Sequence, residues 1–405
     1  MDVASRVRMQ AVQSRANATT LELFFDLVFV FALTQVTEFM AHDLTWRGML
    51  HGLLILGILW WSWTGYAWLF NMVRADEGVV RAVLFAAMGA MFLIALTIPE
   101  AFDDGPGGFD GPIVLALCYF FFRLMHLALF WIIGRNDAGL RRQLIRFAPA
   151  MVGGTLLLLA ASQLRGGPQT GMWALALLID YGGTFIAGAA GWRLRSAQHF
   201  AERHGLILIV ALGESIVAIG VGIAGLPISW PIATAAALGL TVAAVMWWAY
   251  FDVTALLAER ALASEPEETR PKLARDAFSF LHLPLMLGIV LASLGLKKVL
   301  QYVSGGAQHG LGDALTGIGL FALYGGVALY LLAHVAFKLR AIRTFSVARF
   351  VTALVVLALI PVAWHVPALV ALLILAGMLV LFIAVETVKY ALERDLIRHS
   401  SEPSP

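Results

Sequence analysis

Charged residues are scarce in this chain of 405 residues: Asp, Glu, Lys and Arg make up 13% of it, whereas 60% of its residues are hydrophobic. Soluble domains typically contain about 25% charged residues. The composition therefore excludes an ordinary soluble protein and predicts one that is embedded in a membrane. A net charge of +2, with no basic stretch rich in aromatic residues, also argues against nucleic acid as a partner.

Cysteine is nearly absent as well. The single cysteine, Cys118, lies in an apolar run, so the sequence predicts neither an intramolecular disulfide nor a cysteine-based metal site. The chain also lacks a Walker loop, a dinucleotide-binding glycine pattern, an HExxH zinc motif and a GxSxG nucleophile motif. We therefore expect no cofactor, no metal and no catalytic residue of these kinds.

Apolar segments long enough to cross a bilayer, which takes about 20 helical residues, are abundant instead. They predict an all-α polytopic membrane protein with about twelve transmembrane helices. The predicted spans are 20–41, 46–70, 79–99, 112–134, 144–163, 171–193, 200–224, 231–257, 276–300, 311–337, 345–363 and 366–390.

Basic residues predict the orientation of these spans. If the N-terminus is cytoplasmic, 23 of the 28 Lys and Arg residues fall in cytoplasmic segments and four in outer loops, among them Lys297 and Lys298. This asymmetry is a positive-inside signal and favours an even number of spans. Residues 1–19 are then a cytoplasmic tail rather than a signal peptide, and 394–405 form a second cytoplasmic tail.

Short motifs recur between spans that are six apart in the sequence. YFFFRLMHLALF at 119–130 resembles LYLLAHVAF at 329–337, and IRFAPA at 145–150 resembles ARFVTA at 348–353. These matches predict two parallel six-helix halves, 20–197 and 198–393, a plan found in transporters. Chance similarity between apolar sequences is the alternative.

Ionisable residues inside the spans are the candidate functional residues, because charge within a bilayer is expensive and usually faces protein or water. Counting about 1.5 Å per residue from the cytoplasmic side places Asp26, Asp252 and His282 at one depth on three helices. Glu22 shares a helix face with Asp26. Pro284 follows His282 and predicts a kink that would free a backbone carbonyl there.

A second group is predicted near the middle of the membrane. Glu214, Arg123 and Asp180 each lie nine or more residues into a span, and Arg123 needs a carboxylate partner, either Glu214 or Asp180. Arg203 lies on the same face of its helix as Glu214. For all of these residues a structural ion pair or helix-pinning contact is the alternative to a binding role; we interpret His126, His334 and His365 as structural.

Four motifs resemble the bacterial low temperature requirement protein A family. They are ELFFDLVFVFALTQ at 22–35, ERHGLILIVALGESIVAIG at 202–220, WWAYFD at 247–252 and HLP at 282–284. The resemblance implies a multi-pass protein of the bacterial cytoplasmic membrane that is linked to growth in the cold, and it supplies no catalytic residues. The motif positions that carry over are Glu22, Phe25, Asp26, Glu202, Arg203, Gly213, Glu214, Tyr250, Phe251 and Asp252.

Three functions remain open at this point. The first is a proton- or cation-coupled secondary transporter of a small molecule or ion, with Asp26, Asp252 and His282 in an inner-side site and Glu214, Asp180 and Arg123 as a gate or relay. The second is a membrane-embedded enzyme or lipid-handling protein at the inner leaflet. The third is a non-catalytic assembly partner. In each case the lipid bilayer surrounds the protein, and the sequence predicts no oligomeric state.

Overall fold

The computed structural model describes residues 17–76, 78–103, 105, 108–224, 227–305, 309–389 and 391. Within these ranges the protein is built of helices. They are α1 (Thr20–His42), α2 (Trp46–Phe70), α3 (Gly78–Thr97), α4 (Gly111–Ile133), α5 (Ala138–Ala161), α6 (Gly166–Ala187), α7 (Ala197–Gly222), α8 (Trp230–Phe251), α9 (Thr254–Ser264), α10 (Arg270–Leu273), α11 (His282–Val303), α12 (Gly317–Leu320), α13 (Gly326–Ile342), α14 (Val347–Ala358), α15 (Ile360–Ala363) and α16 (Ala368–Lys389).

Eleven helical segments of the described chain are long and apolar enough to cross a membrane, and Val347–Ala363 is a shorter apolar helix. The prediction of an all-α polytopic membrane protein is thus confirmed. The predicted tail 394–405 and nearly all of 1–19 lie outside the described residues. The split predicted between the last two spans is also present, because α15 ends at Ala363 and α16 begins at Ala368.

Several helix ends differ from the prediction for local reasons. The predicted span 144–163 begins earlier, at Ala138, because Asp137 caps α5 by accepting a hydrogen bond from the Leu140 N–H at 2.9 Å. The predicted span 171–193 ends earlier, at Ala187, where Gly188 adopts a φ of 75°. Lys297 and Lys298, predicted in an outer loop, lie inside α11.

Two segments of π-helix interrupt the α-helical hydrogen bonding. One covers Ala274–Phe280, directly before α11, and the other covers Phe321–Gly325, between α12 and α13. Pro284, at which the sequence predicts a kink, lies in the first turn of α11, and the first π segment ends before it, at Phe280. Such segments shift the faces that a helix presents and are frequent at functional sites.

The chain divides into two compact units. Unit one comprises Met1–Asp43, Arg47–Leu206 and Ala263–Ser279, and unit two comprises Leu44–Trp46, Ile207–Leu262 and Phe280–Pro405. In unit one, α4 and α6 pack against α5, and α3 packs against α1 and α4; in unit two, α11 and α14 pack against α13 and α16 packs against α8. The repeat of 20–197 and 198–393 stays a prediction.

Candidate functional site

A buried cluster of charges in unit one joins α1 to α7. The Asp26 carboxylate accepts hydrogen bonds from both terminal nitrogens of Arg203 and from the Trp63 indole N–H, each 2.8 Å long. The Glu22 Oε2 atom lies 2.8 Å from His199 Nε2 and 3.5 Å from Arg203 Nε. Each of these residues is at most 1% exposed, so the cluster is buried within unit one.

The partners of Asp26 limit what this residue can bind. Both of its oxygens are used by Arg203, and one of them also accepts from Trp63. A bidentate pair between a guanidinium and a carboxylate is strong and has a fixed geometry. This arrangement favours the alternative in which Asp26 pins α1 to α7. Two carboxylates face one guanidinium here, and His199 is the second partner of Glu22.

Arg123 and Asp180 form a second buried pair in unit one, between α4 and α6. The Nη2 group of Arg123 donates to Asp180 Oδ1 at 3.0 Å and to Oδ2 at 2.8 Å. This confirms that Arg123 has a carboxylate partner and identifies it as Asp180, one of the two candidates. The other candidate, Glu214, lies in unit two, where it is buried in α7.

A small cavity of about 40 Å³ lies beside this pair and is called the unit-one cavity; Thr64, Arg123, His126 and Arg275 contribute to its lining. Thr64 Oγ1, Arg123 Nε and His126 Nδ1 have no hydrogen-bond partner among the described residues. His126 Nε2 is 3.0 Å from the Gly65 carbonyl and therefore donates, which leaves Nδ1 as an acceptor. The cavity thus offers donors and acceptors and has room for about three water molecules.

Unit two contains a larger polar cavity of about 240 Å³, called the unit-two cavity. The end of α8, the start of α9, the ends of α13 and α16 and the start of α14 surround it. Its polar lining consists of Asp252, Thr254, Lys338, Thr344, Ser346, Arg349, Glu386 and Thr387. Of the eight residues selected from the sequence, Asp252 is the one that lines this cavity.

The two cations that line the unit-two cavity, Arg349 and Lys338, differ in their hydrogen bonding. Arg349 Nε donates to Glu386 Oε1 at 3.0 Å and Nη2 donates to Oε2 at 3.1 Å, while Nη1 donates to His334 Nε2 at 2.6 Å and to Thr254 Oγ1 at 3.2 Å. In contrast, the Lys338 ammonium forms no hydrogen bond or ion pair with any described side chain. Lys338 is therefore the cation that remains available to an anionic group in this cavity.

His282 lies behind the wall of the unit-two cavity rather than in its lining. The histidine is fully buried, and its Nε2 is 2.9 Å from the Tyr250 hydroxyl. The His282 ring also packs edge-on against Phe337, with 4.7 Å between ring centroids. Tyr250 precedes Asp252 by two residues, and Phe337 precedes Lys338. A buried aromatic layer thus connects His282 to the helices that form the cavity.

The predicted residues consequently fall into three places. Glu22, Asp26 and Arg203 meet in one cluster, Arg123 and Asp180 form a pair, and Asp252, His282 and Glu214 belong to unit two. Asp26 belongs to unit one, and its hydrogen bonds are those of the α1–α7 cluster. The shared inner-side site of Asp26, Asp252 and His282 stays a prediction.

Sequence reasoning missed most of the unit-two cavity. It assigned Lys338 and Arg349 only to the positive-inside count, and His334 to a structural role. The signal that was present is the position of Arg349, the third residue of an apolar helix. A buried guanidinium there requires a carboxylate on a neighbouring helix, and Glu386 on α16 provides it.

Comparison with known proteins identifies the family. The family model for the bacterial low temperature requirement A protein matches residues 17–384, which is most of the chain. An uncharacterised protein of Rhizobium meliloti (strain 1021) is 28% identical in an alignment of 298 residues, which covers 69% of this chain and 69% of that protein. No solved structure matches. The chain therefore belongs to the bacterial low temperature requirement A family.

Proposed function

We propose that this chain is a secondary transporter, coupled to protons or another cation, and that the unit-two cavity receives its solute. The observation that carries the proposal is a cavity of about 240 Å³ among membrane-spanning helices, lined by charges of both signs, with the Lys338 ammonium unpaired in the described chain. Intramembrane ionisable groups that face a cavity usually mark a pathway for a substrate or an ion.

Interrupted helices border the cavity, as is common where backbone lines a transport site. The helical run pauses at Asp252 and Val253 between α8 and α9, and residues 343–346 form the linker between α13 and α14. Both interruptions bring side chains to the cavity, namely Asp252 from the first and Ser346 from the second. The site is thus built at helix ends that can move without breaking a continuous helix.

The charge and volume of the cavity indicate the class of solute. The charge of Arg349 is compensated by Glu386, so Lys338 is the group that selects an anionic moiety, and Asp252 is the acid that exchanges a proton or holds a cation. Sites for drug-sized ligands usually exceed about 300 Å³. We therefore expect a small solute with a carboxylate or phosphate group, such as an amino acid or a short organic acid.

The test uses the purified protein in liposomes that contain a pH-sensitive dye. Gradients of amino acids, mono- and dicarboxylates and inorganic phosphate are imposed one at a time, and proton movement is recorded. For the active solute, Lys338→Gln should reduce the flux by about tenfold or more, since about 1.4 kcal/mol of lost binding is tenfold. Asp252→Asn should abolish proton movement while solute counterflow continues. Lys272→Gln removes an exposed charge outside the cavity and should leave the flux unchanged.

Two outcomes would refute the transport proposal: the absence of flux for every solute in the panel, or wild-type flux in both Lys338→Gln and Asp252→Asn. The inner-leaflet alternative has one observation in its favour, because Trp248 and Phe345 line the same cavity and are 40% and 48% exposed. Altered lipid composition in a deletion strain, together with no solute flux, would support lipid handling instead.

A further inference from the structure

A second surface, in unit one, has the features of an amphiphile-binding site. An apolar groove of about 360 Å³ runs between α4 and α5, and it is called the α4–α5 groove. Several of its side chains are largely exposed; Trp131 is 43% and Ile145 is 60% exposed. The residues that line it are Leu124, Leu127, Ala128, Trp131, Ile132, Leu144, Ile145 and Ala148.

Arginines are concentrated at one end of this groove. Arg141, Arg142 and Arg146 in the first turns of α5 are exposed, and none of them forms a hydrogen bond or ion pair within the described part of the chain. The guanidinium of Arg141 lies over the Trp131 ring, 4.6 Å from its centroid. Arg141 is therefore placed at the rim of the groove by a cation–π contact.

The nearby acid does not neutralise these arginines. Asp137 caps α5, and its carboxylate accepts hydrogen bonds from the Leu140 N–H and from Arg193. These bonds, the one from Leu140 first, hold the pKa of Asp137 below its usual range, so it stays ionised. The charge of Asp137 is compensated by Arg193. Arg141, Arg142 and Arg146 therefore form a patch of net positive charge.

Helix geometry aligns one of these arginines, Arg141, with the groove. Arg141 precedes Leu144, Ile145 and Ala148 by three, four and seven residues, so all four share one face of α5. That face therefore carries a cation at its beginning and apolar side chains along the next two turns. This combination of a cation and an apolar surface suits a molecule with an anionic head and a long apolar tail.

We propose that the α4–α5 groove binds an anionic phospholipid, with one acyl chain along the groove and the phosphate at Arg141, while Arg142 and Arg146 on the neighbouring faces of α5 add to the positive charge that attracts it. Guanidinium groups bind phosphate oxygens in a bidentate manner, which favours arginine in such sites. Trp131 supplies the amphipathic ring that is typical of the interface between head groups and acyl chains. This inference does not depend on the transport proposal.

The experiment is native mass spectrometry of the full chain in detergent, titrated with phosphatidylglycerol or with phosphatidylcholine of the same acyl chains. We expect tighter binding of phosphatidylglycerol by the wild-type protein. The triple variant Arg141→Gln/Arg142→Gln/Arg146→Gln should weaken that binding by about tenfold or more, because each basic residue near an anionic lipid adds to the electrostatic attraction. The matched variant Arg47→Gln/Arg81→Gln/Lys272→Gln removes the same charge at exposed positions elsewhere and should bind like wild type.

A second measurement separates the head group from the tail. Trp131→Ala removes an exposed ring from the groove and should weaken binding of phosphatidylglycerol, while glycerol 3-phosphate without a tail should compete poorly. Equal affinity for the two lipids would mean that the groove contacts surrounding lipid without selectivity for the head group, and it would overturn the proposal. So would full competition by glycerol 3-phosphate, or lipid-independent cross-linking of two copies through Ile145→Cys in a Cys118→Ala background.

Discussion

Arg203 shows how a cation is kept inside this protein. Its guanidinium is completely buried, and its charge is balanced by two carboxylates, Asp26 and Glu22. Removing one partner from a buried pair leaves an uncompensated charge, whereas exposed pairs contribute little. The exposed pair Arg74–Asp76 in the same unit provides the comparison.

We predict that Asp26→Asn lowers the free energy of unfolding by about 3–5 kcal/mol, as expected for a broken buried pair. Titration of the purified protein with a denaturing detergent measures this change. Asp76→Asn, the same substitution in the exposed pair, should change it by less than about 1 kcal/mol. The double variant Asp26→Leu/Arg203→Met keeps His199 beside Glu22. It should be more stable than Asp26→Asn, because both partners of the bidentate pair are removed and no guanidinium nitrogen loses its acceptor. Wild-type stability of Asp26→Asn would contradict the helix-pinning role.

The two pairs of unit one also show what a single sequence can and cannot predict at the level of residues. The Arg123–Asp180 pair was predictable because an arginine deep in a span has few possible partners. The Asp26–Arg203 pair was not, because the sequence does not say which helices are neighbours. For Arg203 the sequence showed only that it shares a helix face with Glu214, which belongs to the other unit.

At the scale of elements, glycine determines how closely α11 and the helix that includes α13 approach. A Cβ atom built on Gly326 would lie 2.5 Å from the Ala292 nitrogen and 2.8 Å from the Gly288 carbonyl oxygen. One on Gly288 would lie 2.7 Å from the Tyr330 nitrogen. The backbones are therefore in direct contact, as is typical of small residues between membrane helices. The adjacent Gly325 has open space around its Cβ position.

Gly326→Ala should therefore lower the free energy of unfolding by about 1–3 kcal/mol, the usual effect of an added methyl group in a tightly packed region. Gly325→Ala is the matched control at the preceding position, the last residue of the π segment before α13. It should be neutral or stabilising by up to about 1 kcal/mol, because alanine favours a helix more than glycine does. Equal stability of the two variants, measured by thermal unfolding in detergent, would exclude this contact as a determinant of packing.

Sequence patterns predicted which segments are helices but not how those helices are interrupted. The apolar run 171–193 continues past Ala187, so composition alone does not reveal that Gly188 ends α6 with a positive φ. The π segments Ala274–Phe280 and Phe321–Gly325 are equally hidden, since an additional residue in a turn leaves no compositional signal. The unit-two cavity lies where the ends of α8, α13 and α16 meet the starts of α9 and α14, and the sequence does not say which helix ends are neighbours, so its residues were not predicted.

At the scale of the whole molecule, contacts between loops agree with the predicted topology. In unit two the Ala368 N–H donates to the Asp313 carbonyl at 2.9 Å, which places the loop before α12 beside the connection from α15 to α16. In unit one the Asn71 side chain bonds to Arg195 and Ser196, so two predicted cytoplasmic segments meet. Both contacts join loops that the prediction assigns to one side of the membrane.

We predict that Val347–Ala363 crosses the membrane despite its short length, which would bring the number of spans to twelve. In a Cys118→Ala background, a membrane-impermeant maleimide should label His365→Cys in intact spheroplasts, as it labels Gly312→Cys in the predicted outer loop. It should label Thr344→Cys only after permeabilisation, because that position precedes the helix on the side predicted to be cytoplasmic. Labelling of positions 344 and 365 from the same side would exclude a crossing and an even number of spans.

The glycine contact of Gly288 with Gly326 has a mechanical consequence for the unit-two cavity. No side chain separates the two backbones there, so neither helix can rotate or slide without collision. We expect them to act as a stationary spine during any solute movement. A movement of α14 about the linker 343–346 would then have to break the hydrogen bonds that tie Arg349 to His334 of α13 and to Glu386 of α16.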